Sequence, residues 1–151
     1  MFDQVFQAHP SPEMREHLRR CFPELSQEER EIRTQEFLKF ICLQSMKDSG
    51  FIPVTQEIDL IWHEYILQTR AYEKLCHDLP GKKFVHHQTI SFSEYASTQN
   101  RKQILRAVLD WLPMYRAHFG EFTEKTAHYW WIVTFLLQEL KLTIHQVNQL
   151  S

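Results

Sequence analysis

Thr55-Gln56-Glu57-Ile58-Asp59-Leu60-Ile61-Trp62-His63-Glu64-Tyr65-Ile66-Leu67 opens the stretch that decides the fold. It runs on to Leu79 and is closed by Pro80-Gly81. Ile58, Ile61, Tyr65, Tyr72 and Leu75 recur at helical spacing, which predicts one amphipathic helix over roughly Gln56–Leu79. Thr55 stands where a capping hydroxyl belongs, and Pro80-Gly81 supplies the stop.

The flanking segments read the same way. Ser26 followed by Glu29 has the form of a capping box. It predicts a helix from Gln27 to about Asp48, with Ile32, Phe37, Phe40, Ile41 and Met46 at helical spacing and Gly50 at its end. Ser11-Pro12-Glu13 starts a short helix over 12–22, which stops before Pro23. Phe51 to Val54 is an apolar connector. Lys82 to Ile90 carries no helical period. Ser91 and Ser93 are candidate caps for a helix carrying Ile104, Leu105, Val108, Leu109 and Leu112, and Pro113 within it predicts a kink or a junction of two helices. Gly120 ends that segment. Thr123 caps a last apolar helix over 124–142. No strand alternation stands out. The expectation is an all-α protein: a single domain over 1–151, built as a compact bundle of five or six helices with a histidine-rich centre at 55–90.

Composition excludes several functions. The three glycines, Gly50, Gly81 and Gly120, cannot write a dinucleotide-binding fingerprint, a phosphate-binding loop or a nucleophile elbow. Seventeen basic and 19 acidic residues give a net charge of −2 without a basic run, which speaks against nucleic acid and an anionic membrane surface. The longest apolar stretch, Trp130 to Leu137, is far short of the roughly 20 residues that span a bilayer. Cys21, Cys42 and Cys76 form neither a disulfide framework nor a zinc knuckle. The first ten residues lack the pattern of a signal peptide, so the expected compartment is the cytoplasm.

Chemistry concentrates around His63. On a helix, Asp59 and His63 share a face with side chains about 6 Å apart. That suits two ligands of one ion, or a carboxylate orienting an imidazole. His77 lies about 21 Å further along a straight helix and cannot join them unless the helix breaks. His86 and His87 follow the Gly81 turn, so the chain can bring one of them back to His63. Neighbours in extended chain face opposite ways, so only one of the pair is expected to face it. His63, His86 or His87, and Asp59 would make a two-histidine, one-carboxylate set suited to zinc, iron or manganese. His63-Glu64-Tyr65-Ile66-Leu67 begins like the zinc motif H-E-x-x-H, but Leu67 replaces the second ligand.

The combined pattern resembles the glycine-rich domain-containing protein-like family, whose members read V-D-x-x-W-H-x-H-I-L-x-T-x-x-Y, then Cys, then F-G-R-x-x-H-H. Ile58-Asp59, Trp62-His63, Ile66-Leu67, Thr69, Tyr72, Cys76, Gly81 and His86-His87 fall in that order, and Met114-Tyr115 to Phe119-Gly120 resembles a later L-Y-x-x-x-F-G. Tyr65 replaces the second histidine of W-H-x-H, and Gln88 replaces the proline after the histidine pair. The resemblance implies an architecture and a residue cluster, with no settled reaction. Two functions stay open. In the first, the cluster binds a divalent metal ion, with or without catalysis on a small substrate. In the second, the cluster is a structural network in an interaction module, whose apolar last helix meets a protein partner or a second copy. The bland reading of His63 itself is a core histidine satisfied by Asp59.

Overall fold

The computed structural model describes residues 2–47, 52–87 and 101–150. The protein is all-α: among the described residues there are nine helices, no strand, and one isolated antiparallel bridge, Val54 to Trp130. They are α1 (Phe2–Ala8), α2 (Pro12–Cys21), α3 (Gln27–Met46), α4 (Gln56–Leu67), α5 (Thr69–Asp78), α6 (Arg101–Phe119), α7 (Glu124–Ala127), α8 (Trp131–Gln138) and α9 (Ile144–Gln149). The described residues fall into two units, one drawn from Met1–Asp48 and Gln56–His87, the other from Ser49–Thr55 and Gln88–Ser151. No described helix is long and apolar enough to cross a membrane.

The first unit is organised by α3 and α4. The Ser11 and Ser26 hydroxyls accept from the backbone N–H of Met14 and Glu29 at 3.2 and 3.1 Å, so both expected caps start their helices. Phe37, Leu38, Phe40, Ile41 and Leu43 of α3 are fully buried, and Ile58, Ile61, Trp62 and Tyr65 of α4 are nearly so. An edge-to-face contact joins the two helices, with Phe40 4.9 Å from Trp62 between ring centres. Gly50, Phe51, Ser91 and Ser93 lie outside the described residues.

The helix expected over Gln56–Leu79 is two helices, broken at Gln68. The break lies at the surface: Leu67, Gln68, Thr69 and Arg70 all face outward. The Gln68 N–H stays satisfied by the Tyr65 carbonyl at 3.1 Å, and the Gln68 carbonyl accepts from Tyr72 N–H at 2.9 Å. Neither glycine nor proline announces this break. The expected Thr55 cap is not formed: its hydroxyl is buried without a hydrogen-bond partner among the described residues, while its N–H donates to the Tyr129 carbonyl.

Buried His9, in the turn after α1, ties that end of the unit to Asp78 at the end of α5, Nε2 to Oδ2 at 2.9 Å. This hydrogen bond, helped by His77 and Lys74, outweighs desolvation and holds the Asp78 carboxyl at about 2, below its ordinary 3.8. A carboxyl depressed on folding stabilises above its unfolded value, and that stabilisation drains away as pH falls through the folded value. Partly exposed Asp78 should therefore contribute about 1–2 kcal/mol at pH 5, lost between pH 4 and 2. Denaturant melts of wild type and Asp78→Asn at pH 5 and pH 2 check this, and the gap between the two proteins should close at the lower pH.

In the second unit, α6 continues through Pro113 as one helix, so the two-helix alternative does not hold there. Trp111, Leu112 and Tyr115 are buried on either side of the proline, and that packing offsets its lost backbone bond. Tyr115 stacks on Phe122 at 4.0 Å, and Trp111 lies 5.0 Å from Trp130. The expected helix over 124–142 is divided. Thr123 and Thr126 close a capping box for α7, and then Trp130 turns extended to bridge Val54. Lys141, with a left-handed φ of 56°, ends the segment after α8, and a second capping box at Thr143 starts α9. Trp130 is core, whereas Trp131 is 37% exposed. Asn148 accepts from Phe122 N–H at 2.9 Å and donates to its carbonyl at 3.0 Å.

Candidate functional site

The segment after α5 is delivered back to α4 by a tight approach to α3. Gly81 N–H donates to the Ser45 hydroxyl at 3.2 Å, and Lys82 takes a left-handed φ of 47°. From there residues 82–87 run without regular structure along the unit. Val85 is buried, and its carbonyl accepts from the Tyr72 hydroxyl, which in turn accepts from Trp62 Nε1 at 3.0 Å. Burial, the largest influence, pushes the Tyr72 phenol far up, so it stays a neutral relay between α4, α5 and this segment.

The relay sets His87 against α4. His87 Nε2 donates to Asp59 Oδ1 at 2.8 Å across 28 residues of chain, and its ring meets the edge of Trp62 at 4.6 Å. With Nε2 donating to the carboxylate, the neutral ring of His87 presents its Nδ1 lone pair on the other side. His63 is exposed, with its ring centre 6.3 Å from that of His87. Asp59 is bonded to His87, and the bland reading of His63 as a buried core residue does not hold. His86 faces away, exposed, with its ring 4.9 Å from Phe84. His77 is exposed beside Asp78. Of the four residues singled out from sequence, the structure joins Asp59 and His87 directly, sets His63 beside them and leaves His86 apart.

Another cluster was not legible. His17 and Cys21 of α2 meet Glu64 of α4: His17 Nε2 to Glu64 Oε2 is 3.3 Å, and Cys21 Sγ is 3.4 Å from each. Among the described residues this is the group of three whose ligand atoms converge as one ion would require. Burial, then the Glu64 carboxylate, raises the Cys21 thiol above its ordinary value. The signal available in sequence was H-x-x-x-C on a capped helix. Its third member lies 43 residues beyond Cys21, and no local spacing reveals it. Cys42 and Cys76 are buried free thiols, and burial pushes Cys42 up to about 12.

A cavity of about 400 Å³ lies elsewhere, lined from α2 and α3 by residues that include Arg15, Leu18, Arg19, Arg30 and Thr34. Two of its cations are committed: Arg19 to Glu16, and Arg30 to the carbonyls of Phe22 and Leu25. None of the histidines lines it.

Packed helices, with the His87 imidazole returned to Asp59 of α4, define an all-α protein carrying a histidine–carboxylate pair. Residues 3–115 match the UCP032817-like family, and the chain belongs to it. That membership assigns no reaction. Neither a curated protein nor a solved structure matches the chain.

Proposed function

We propose that this protein binds a divalent metal ion on α4, through His87 and His63, with Asp59 holding the first of these imidazoles in place. The observation that carries the reading is the 2.8 Å contact between Asp59 and His87. It leaves His87 Nδ1 as the coordinating atom, in the carboxylate–histidine arrangement that orients metal ligands. Two imidazoles on one ion need ring centres roughly 5–6 Å apart, given metal–nitrogen bonds of about 2.0–2.1 Å. His63 is exposed, so a rotamer change closes the remaining distance cheaply. Two imidazoles leave open coordination positions, and zinc, iron or manganese all suit nitrogen and oxygen donors. As an enzyme, such a centre would activate water or dioxygen on a small substrate. The resemblance to the glycine-rich domain-containing family is finer than the family assignment. It supports the same surface, because Asp59, Trp62-His63 and His86-His87 are its shared residues. Three unpaired cysteines support a reducing compartment, the cytoplasm.

Zinc titration followed through the histidine ring signals tests this. One equivalent should shift both His63 and His87, and His87→Ala should abolish the His63 response. Asp59→Asn should weaken binding roughly 10- to 100-fold. A His63 response untouched by His87→Ala contradicts the reading. A second reading, a structural network in an interaction module, is favoured by the Trp62–His87 ring contact at 4.6 Å. Under it, chelators leave melting unchanged.

A further inference from the structure

We propose that His17, Cys21 and Glu64 form a separate metal site for a zinc-class ion. It shares no residue with the centre on Asp59, His63 and His87, so the two proposals stand or fall independently.

Helix α2 puts His17 and Cys21 four residues apart on one face, and α4 brings Glu64 against them. The three ligand atoms form a triangle with edges of 3.3, 3.4 and 3.4 Å. A tetrahedral zinc with bonds of about 2.0–2.1 Å to nitrogen, 2.0–2.2 Å to oxygen and 2.3 Å to sulfur separates its corners by roughly 3.3–3.6 Å. The triangle is therefore already one face of that tetrahedron. His17 Nε2 and Cys21 Sγ both turn to the one carboxylate oxygen, Glu64 Oε2. His17 Nε2 also lies 3.4 Å from Cys21 Sγ, so the three donor atoms converge on one point. A central cation with a thiolate serves all three at once.

Each ligand comes from a helix rather than a loop, which fixes the spacing before any ion arrives. His17 and Glu64 side chains are each 26% exposed, enough for entry. The Gln68 carboxamide nitrogen lies 3.5 Å from His17 Nε2. The helix break at Gln68 places it there. A thiolate with an imidazole selects zinc or cobalt over magnesium and calcium, and three protein ligands leave a fourth position for solvent or substrate.

Cobalt(II) titration of the reduced, full-length protein tests the site. A thiolate-to-cobalt charge-transfer band should saturate at one equivalent and vanish in Cys21→Ser. His17→Ala and Glu64→Gln should each weaken it roughly tenfold or more. His87→Ala, which removes the other centre, should leave it unchanged. Without any substitution, zinc should slow alkylation of Cys21 at least tenfold, and the buried Cys42 and Cys76 provide the background. Absence of the band, a band that survives Cys21→Ser, or an unchanged alkylation rate overturns the proposal.

Discussion

Trp62→Ala is expected to destabilise the first unit by about 3–5 kcal/mol, the range for losing a fully buried aromatic side chain. Trp62 is 2% exposed and occupies the junction of α3, α4 and the returning segment. Its ring meets Phe40 at 4.9 Å and His87 at 4.6 Å, and its Nε1 donates to Tyr72. Alanine leaves a cavity and strips a donor from the Tyr72 hydroxyl. Trp62→Phe restores most of the volume and should recover the larger part of the loss, leaving about 1 kcal/mol for the missing hydrogen bond. Urea denaturation with an unchanged slope checks both, because the midpoint alone should move. A Trp62→Ala cost below about 1 kcal/mol would contradict the packing described for this junction.

The second large effect is expected at Gly81. Its φ is not in the left-handed region, so the requirement is space. A Cβ there would sit 1.8 Å from the Ser45 carbonyl oxygen and 2.5 Å from the Ser45 carbonyl carbon. Those are backbone atoms of α3, in a buried turn where Ser45 Oγ donates to the Cys42 carbonyl at 2.7 Å. They cannot swing aside as a flexible side chain can. Gly81→Ala should cost about 3 kcal/mol or more and push residues 82–87 away from α4. Amide exchange of buried Val85 should accelerate along with the loss of stability. The Asp59–His87 contact should weaken in step, seen as a change in the His87 ring signal. A variant of wild-type stability with His87 still on Asp59 would mean that the turn against Ser45 does not position the site.

The fold was legible wherever local chemistry marks it. Ser11, Ser26, Thr123 and the apolar spacing of α3 and α4 announce their helices, because capping and periodicity are properties of neighbours in sequence. The breaks were not legible. Gln68 interrupts α4–α5 without glycine or proline, and Trp130 leaves helical geometry to pair with Val54, a partner 76 positions earlier. Such interruptions are decided by tertiary contacts that no local window contains.

The site divides along the same line. Gly81 showed that the chain could turn back, and alternation said that only one of the adjacent histidines would face α4. Which one it is follows from Val85, whose carbonyl is held by Tyr72. The His17–Cys21–Glu64 group needs two helices in register, and a sequence read one segment at a time does not supply that register.

Anomalous diffraction from zinc-soaked crystals would locate an ion held by His87 and His63. A zinc peak is expected about 2.0–2.1 Å from His87 Nδ1 with the His63 ring rotated to share it, and Asp59 still bonded to His87 Nε2. Crystals with zinc bound elsewhere, and none beside a His87 still resting on Asp59, would contradict it.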